Sequence, residues 1–185
     1  MTSTGNRPAA PSPALLAWYN AVPTVIWSAL SLTPLSIFCY QHMERRWLYG
    51  LLFVSLLWYV LPASRFKHFQ ISRNPRIYRR LGVAAINRFT QHGGLVNWLV
   101  RRTYPQYRRL RARAAVAALV RTTYHQERFH LVLFVFFLLT SFYAVAQGYW
   151  RWALLLTLLN VGYNLYPMWL QQYIRVRLEP KAPAS

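Results

Sequence analysis

Leu131 to Thr140 reads LVLFVFFLLT. A helix built from these residues is apolar on every face. A helix on the surface of a soluble domain keeps one polar face, because that face meets water. The stretch belongs to a longer apolar run of about 20 residues, the length that crosses roughly 30 Å of hydrocarbon. Three more runs of this kind appear on either side of it. The four are Leu15–Tyr40, Trp47–Ala63, about Phe129 to Tyr149 and about Trp152 to Tyr173. Trp and Tyr crowd their ends (Trp47, Tyr49, Tyr59, Tyr149, Trp150, Trp152, Tyr173), where an aromatic belt would lie.

The expectation is an all-α integral membrane bundle of four transmembrane helices. Pro23 and Pro34 inside the first run remove backbone donors and predict kinks. Residues 1–13 read as a disordered tail, 14–63 as a transmembrane hairpin, 64–128 as an arginine-rich segment, 129–178 as a second hairpin and 179–185 as a tail. Met1 to Pro13 has no cationic start and no short apolar core, so it does not read as a secretory signal.

The chain of 185 residues has room for one domain, and its formal net charge is +19. It contains no Asp, and its only carboxylate side chains are Glu44, Glu127 and Glu179. In a soluble domain such charge points to nucleic acid. Beside long apolar runs it points instead to anionic lipid headgroups, so membrane lipid and no nucleic acid is the expected partner. Of the 22 Arg and Lys residues, 15 fall between Arg65 and Arg128. Arg7, Arg175, Arg177 and Lys181 share that side of a four-span topology, and only Arg45, Arg46 and Arg151 lie opposite. The positive-inside rule then puts the basic segment and both termini in the cytoplasm.

Within the basic segment, Ile77, Leu81, Ala85 and Phe89 recur at near-helical spacing, and Tyr107, Leu110, Ala114 and Ala117 do so again. Gly93–Gly94 and Pro105 interrupt the pattern. Two or three amphipathic helices lying against headgroups are predicted, with a solvated topogenic loop as the alternative. Cys39 is alone, so no disulfide framework exists, and His42, His68 and His92 are isolated.

Polar residues inside a span are costly and face the bundle interior. Asn160, Asn164, Pro167 and Gln171 fall on one stripe of an α-helix, followed by Tyr173, Arg175 and Arg177. That stripe is either inter-helix glue or a cleft for a substrate headgroup. Glu127 and His130, three residues apart, share a helix face at the start of the third run. Three readings stay open. Glu127 pairs with Arg128 or Arg121 while His130 anchors at the interface; or Glu127 orients His130 as general base on a substrate hydroxyl; or Glu-x-x-His is half of a carboxylate metal site, for which no second motif exists. No metal site is expected. A glycine-rich phosphate loop, a Gly-x-Ser-x-Gly elbow and a His-Glu-x-x-His motif are absent, and without Asp there is no His-x4-Asp motif.

The stretch from Asn164 through Pro167, Gln171, Tyr173, Arg175 and Arg177 to Leu178 resembles the C-terminal signature of the glycosyl-4,4'-diaponeurosporenoate acyltransferase family, and Glu127 and His130 match its Glu-x-x-His pair. The likeness covers mainly residues 120–178. The middle loop lacks the family's Trp-Lys element with an acidic residue. The resemblance implies a small protein of the bacterial cytoplasmic (inner) membrane that O-acylates a membrane glycolipid or glycosylated isoprenoid. It implies His130 as base and Glu127 as its orienter. Asn160, Asn164, Gln171 and Tyr173 would bind substrate, with Asn164 and Gln171 on the lipid-linked acceptor or the ester carbonyl, and Arg175, Arg177 and some arginines of the basic segment would hold the phosphates of acyl-CoA or a similar donor. No bound cofactor is implied. The alternative is a non-enzymatic scaffold or assembly protein that holds anionic lipid.

Overall fold

A computed structural model describes residues 10–90, 93–105, 107 and 113–178. The expected tails at 1–9 and 179–185, His92, and Leu110 at the centre of the second stripe lie outside the described residues. Among the described residues there is no strand, and the chain is all-helical.

Helix α1 (Pro13–His42) starts on Ser12, whose hydroxyl accepts from the Leu15 amide at 3.2 Å. It runs on through Pro23 and Pro34 as one helix. Helix α2 (Arg45–Leu57) ends in a 3-10 turn, Trp58–Val60, just before Pro62. Three short helices follow: α3 (Pro75–Arg80), α4 (Val83–Ile86) and α5 (Gly94–Thr103). Helix α6 (Arg113–Ala146) is the central pillar, packing on α2, α7 and α8. It starts well before Phe129, so the arginine-rich approach and the apolar stretch form one rod.

Helix α6 closes on Gly148 at φ 78°, where the Tyr149 amide donates to the Ala144 carbonyl and the Gly148 amide to that of Val145. This is a Schellman turn, and a residue with a Cβ would be strained at its left-handed position. It reverses the chain into α7 (Trp150–Asn160). A π turn (Val161–Leu165) and α8 (Tyr166–Leu178) continue without a break.

Helix α1 and, within α6, Val116–Ala146 are each long and apolar enough to cross a membrane. Their apolar residues mostly face outward. Val22, Ile26 and Leu30 on α1, Phe53 on α2, Phe142 on α6 and Leu154 on α7 are all exposed. Water would not tolerate an apolar surface this broad, whereas lipid would. The interior is held by Leu35, Phe38, Phe136, Phe137 and Leu156, which join α1, α6 and α7.

The basic segment differs from the predicted stripe. Ile77 and Phe89 point outward, while Tyr78 and Val83 are wholly buried. The break at Gly82, left-handed at φ 79°, divides the supposed single helix into α3 and α4 and turns their inner faces separately. Tyr78 and Val83 join Leu170 and Tyr173 of α8 in a second apolar cluster. Helices α3 and α4 thus pack on α8, and α5 packs on α1. Gly93 is needed where α5 begins, because a Cβ there would lie 2.0 Å from the Asn87 carbonyl oxygen.

Candidate functional site

Two buried polar sets meet on α6. The first centres on Glu127, which is 1% exposed. Its Oε2 lies 2.5 Å from Arg175 Nη2, and its Oε1 accepts from Gln172 Nε2 at 2.7 Å. Glu127 therefore pairs with Arg175, not with Arg121 or Arg128. Arg128 instead reaches back to the Leu61 carbonyl at 2.9 Å and lies over the Tyr59 and Phe66 rings.

Gln172 uses its whole amide. Nε2 also donates to the Phe69 carbonyl at 3.1 Å, and Oε1 accepts from the Ile71 amide at 3.2 Å and lies 3.1 Å from the Tyr78 hydroxyl. The Tyr78 hydroxyl is also 3.0 Å from the Ser72 carbonyl and accepts from the Ser72 amide. Burial holds the Tyr78 phenol above its ordinary pKa, so it stays protonated and able to donate. One side chain of α8 thus ties α6, the 69–72 segment and α3 together. Arg175 completes the set: Nη1 donates to Thr123 Oγ1 at 3.4 Å, and its guanidinium lies 4.2 Å from the centre of the Tyr124 ring.

The second set begins one turn further along α6. His130 Nδ1 lies 3.4 Å from Asn164 Oδ1, Asn164 Nδ2 donates to Asn160 Oδ1 at 2.8 Å, and Asn160 Nδ2 donates to the Phe134 carbonyl at 3.0 Å. The Phe134 carbonyl can only accept, so it fixes which way both amides point. Asn164 then offers its oxygen to His130. The imidazole must donate from Nδ1, which leaves the lone pair on Nε2. Tyr163 stands edge-on to the His130 ring at 5.9 Å, and its hydroxyl lies 2.9 Å from Ser28 Oγ on α1. His130 takes its orientation from Asn164, and Glu127 is engaged elsewhere.

The stripe predicted along the last span holds for Asn160 and Asn164, both buried, and then slips. The π turn takes in one extra residue, so the inward face beyond it moves from Pro167 and Gln171 to Met168 and Gln172. Gln171 is half-buried and joins neither set. Tyr173 is buried against Tyr78 at 6.2 Å with Arg177 over its ring at 5.5 Å, and Arg177 itself is exposed. Arg175, 1% exposed and ion-paired, does not face a donor's phosphates. Gln172, Tyr78, Thr123 and Tyr163 were not singled out from the sequence; the only signal for Gln172 was its place in a Gln-Gln pair. Among the described residues no three His, Cys, Asp or Glu side chains gather as metal ligands.

Fold and site together define an all-helical protein with membrane-length apolar helices and a buried polar seam between α6 and the α7–α8 rod. The family model for glycosyl-4,4'-diaponeurosporenoate acyltransferase matches residues 62–181, well over half of the chain, and the chain belongs to that family. The resemblance read on residues 120–178 thus extends back to the end of the second apolar run. No curated protein and no solved structure matches the chain.

Proposed function

We propose that this chain is a membrane-embedded acyltransferase that esterifies a hydroxyl of a glycosylated carotenoid or a related membrane glycolipid. The observation that carries the reading is the extent of the family match, which takes in both buried polar sets from Tyr78 to Arg175. His130 is the general base: Asn164 and Asn160 hold it as the Nδ1–H tautomer, and Nε2 accepts the proton of the attacking hydroxyl. The hydroxyl oxygen bonds to the acyl carbon, the donor's C–S bond breaks with its electron pair going to sulfur, and the leaving thiolate takes the proton back from Nε2. Ser28 and Tyr163 hold the ring from the α1 side. Glu127 and Arg175 fasten the framework that keeps α6 and α8 in register. The exposed arginines Arg76, Arg79, Arg80 and Arg177 are left to meet the phosphates of an acyl-CoA-like donor.

In this reading the chain crosses the bilayer four times. Helices α1, α2, α6 and the α7–α8 rod are the spans, with the basic segment and both termini in the cytoplasm. Reporter fusions at the two termini should both give the cytoplasmic signal; opposite signals would remove the four-span topology.

Lipid extracts of a deletion strain test the activity. The strain should lose an acylated glycolipid and accumulate its unacylated precursor. Wild-type protein should restore the product, and a membrane-resident His130→Gln variant should not. An unchanged lipid profile on deletion ends the acyltransferase reading.

A further inference from the structure

Two surface cavities of similar size differ in one respect. One, about 530 Å³, lies along α1 between Thr24 and Ile37 and has no charged residue in its lining. The other, about 510 Å³, lies where α2 ends, and its lining includes Leu57, Val60, Leu61 and Phe69 together with Arg65 and His68. The sequence left His68 isolated, and the proposed reaction uses neither Arg65 nor His68.

The placement of these two groups follows from local geometry. Ala63–Lys67 is a 3-10 turn, and the His68 amide donates to the Arg65 carbonyl at 3.0 Å. In a 3-10 turn, side chains three apart stand one above the other, so Arg65 and His68 face the same way. Both are exposed, and neither has an ion-pair partner among the described residues. Arg128 donates to the Leu61 carbonyl at 2.9 Å, holding the wall of the cavity and adding a second guanidinium nearby. On the other side Leu57 and Val60 are exposed on the outward face of the α2 end, so the apolar half of the cavity opens toward the surrounding hydrocarbon.

We infer that this cavity is a binding site for a single phospholipid with an anionic headgroup. The phosphate sits on Arg65 and His68, and an acyl chain lies against Leu57 and Val60. Arg65 offers a planar fork to phosphate oxygens, and His68 offers an N–H in either charge state. Two donors at the rim match one phosphate, and lateral entry from the bilayer suits a ligand whose chain is already in the apolar phase. The site rests on the membrane placement proposed above and is independent of the acyl transfer.

The test uses the full-length protein, extracted in detergent from membranes holding equal phosphatidylglycerol and phosphatidylcholine, with retained lipid counted by native mass spectrometry. One phosphatidylglycerol should be retained in preference to phosphatidylcholine. The double variant Arg65→Gln, His68→Gln should weaken that preference at least about fivefold, as expected for a cation lost at the headgroup level. Val60→Trp, which fills the apolar half, should lower retention of both lipids. Circular dichroism verifies that each variant keeps its helices. Equal retention of the two lipids by the wild type would overturn the inference. So would displacement of the lipid by acyl-CoA at concentrations where inorganic phosphate has no effect, since the site would then be the donor's. A protein that stays soluble without detergent would instead defeat the membrane placement, a separately visible failure.

Discussion

Glu127 and His130 stand one turn apart on the same face of α6, and their surroundings are opposite in kind. Around Glu127 the partners are a cation and a fully engaged amide. Arg175 and Gln172 take the two carboxylate oxygens, and Gln172 spends its remaining capacity on Phe69, Ile71 and Tyr78. Around His130 the partners are neutral amides. A line of amides from the Phe134 carbonyl fixes Nδ1 and leaves Nε2 with a lone pair. A buried carboxylate paired with a guanidinium fastens the helices it joins, whereas neutral amides orient an imidazole without charging it. Glu127 and His130 therefore share one helix face with separate partners, and in the proposed reaction Glu127 does not orient His130.

The largest expected effect tests the His130 side. His130→Gln keeps a polar, hydrogen-bonding side chain but removes the basic nitrogen. Acyl transfer should fall about 10²–10⁴-fold, the usual worth of a general base, while the thermal midpoint moves little. A large drop in midpoint with activity per folded molecule preserved would assign His130 to the fold as well.

The Glu127 side should respond in stability. Arg175→Met leaves Glu127 buried without its cation and should destabilise the protein by about 3–5 kcal/mol, read from denaturant unfolding in detergent. Replacing both partners with apolar residues of similar volume should recover most of that loss, because no charge is then left unpaired. If the double variant were as unstable as the single one, the pair would be more than a fastening.

Gln172→Leu comes next. It leaves the Ile71 amide unmatched and removes one partner each from Glu127 and Tyr78, for about 1–3 kcal/mol per buried group left unsatisfied. The loss should be local: hydrogen exchange should rise in the 69–78 segment before it rises in α6. Uniform loosening would mean that Gln172 supports the whole bundle.

The smallest effect is at Ser28→Ala, which removes the hydroxyl facing Tyr163. The stability change should be about 0.6 kcal/mol, the average for hydrogen bonds between membrane helices. The pH dependence of acyl transfer should nevertheless shift if Tyr163 positions His130. An unchanged profile would confine Ser28 and Tyr163 to packing.

Several of these assignments were legible in the residues and several were not. The apolar helices were, because LVLFVFFLLT has no polar face and belongs to a run long enough to cross a membrane. So was the need of Glu127 for an arginine, since a lone carboxylate in so cationic a chain must find a partner. The partner's identity was not legible: Arg175 is 48 positions away, and nothing short of the α6–α8 packing brings it within 2.5 Å. The choice of Gln171 over Gln172 failed for a different reason. A helical wheel assumes one uniform period, and the π turn at Val161–Leu165 breaks it. The stripe Ile77–Phe89 failed likewise at Gly82, whose left-handed backbone ends one short helix and starts another.

Composition and periodicity are local properties, so the sequence by itself determined that the chain is helical, apolar over membrane lengths and strongly basic between Arg65 and Arg128. It also carried the resemblance to the family. Which residues meet was decided only by the tertiary structure, because contacts such as Glu127 with Arg175, Gln172 with Tyr78 and Ser28 with Tyr163 join helices far apart in the chain. Their geometry depends on two local departures from a regular helix, the π turn and the Gly82 break. Each rotates everything beyond it by an amount that residue spacing alone does not encode.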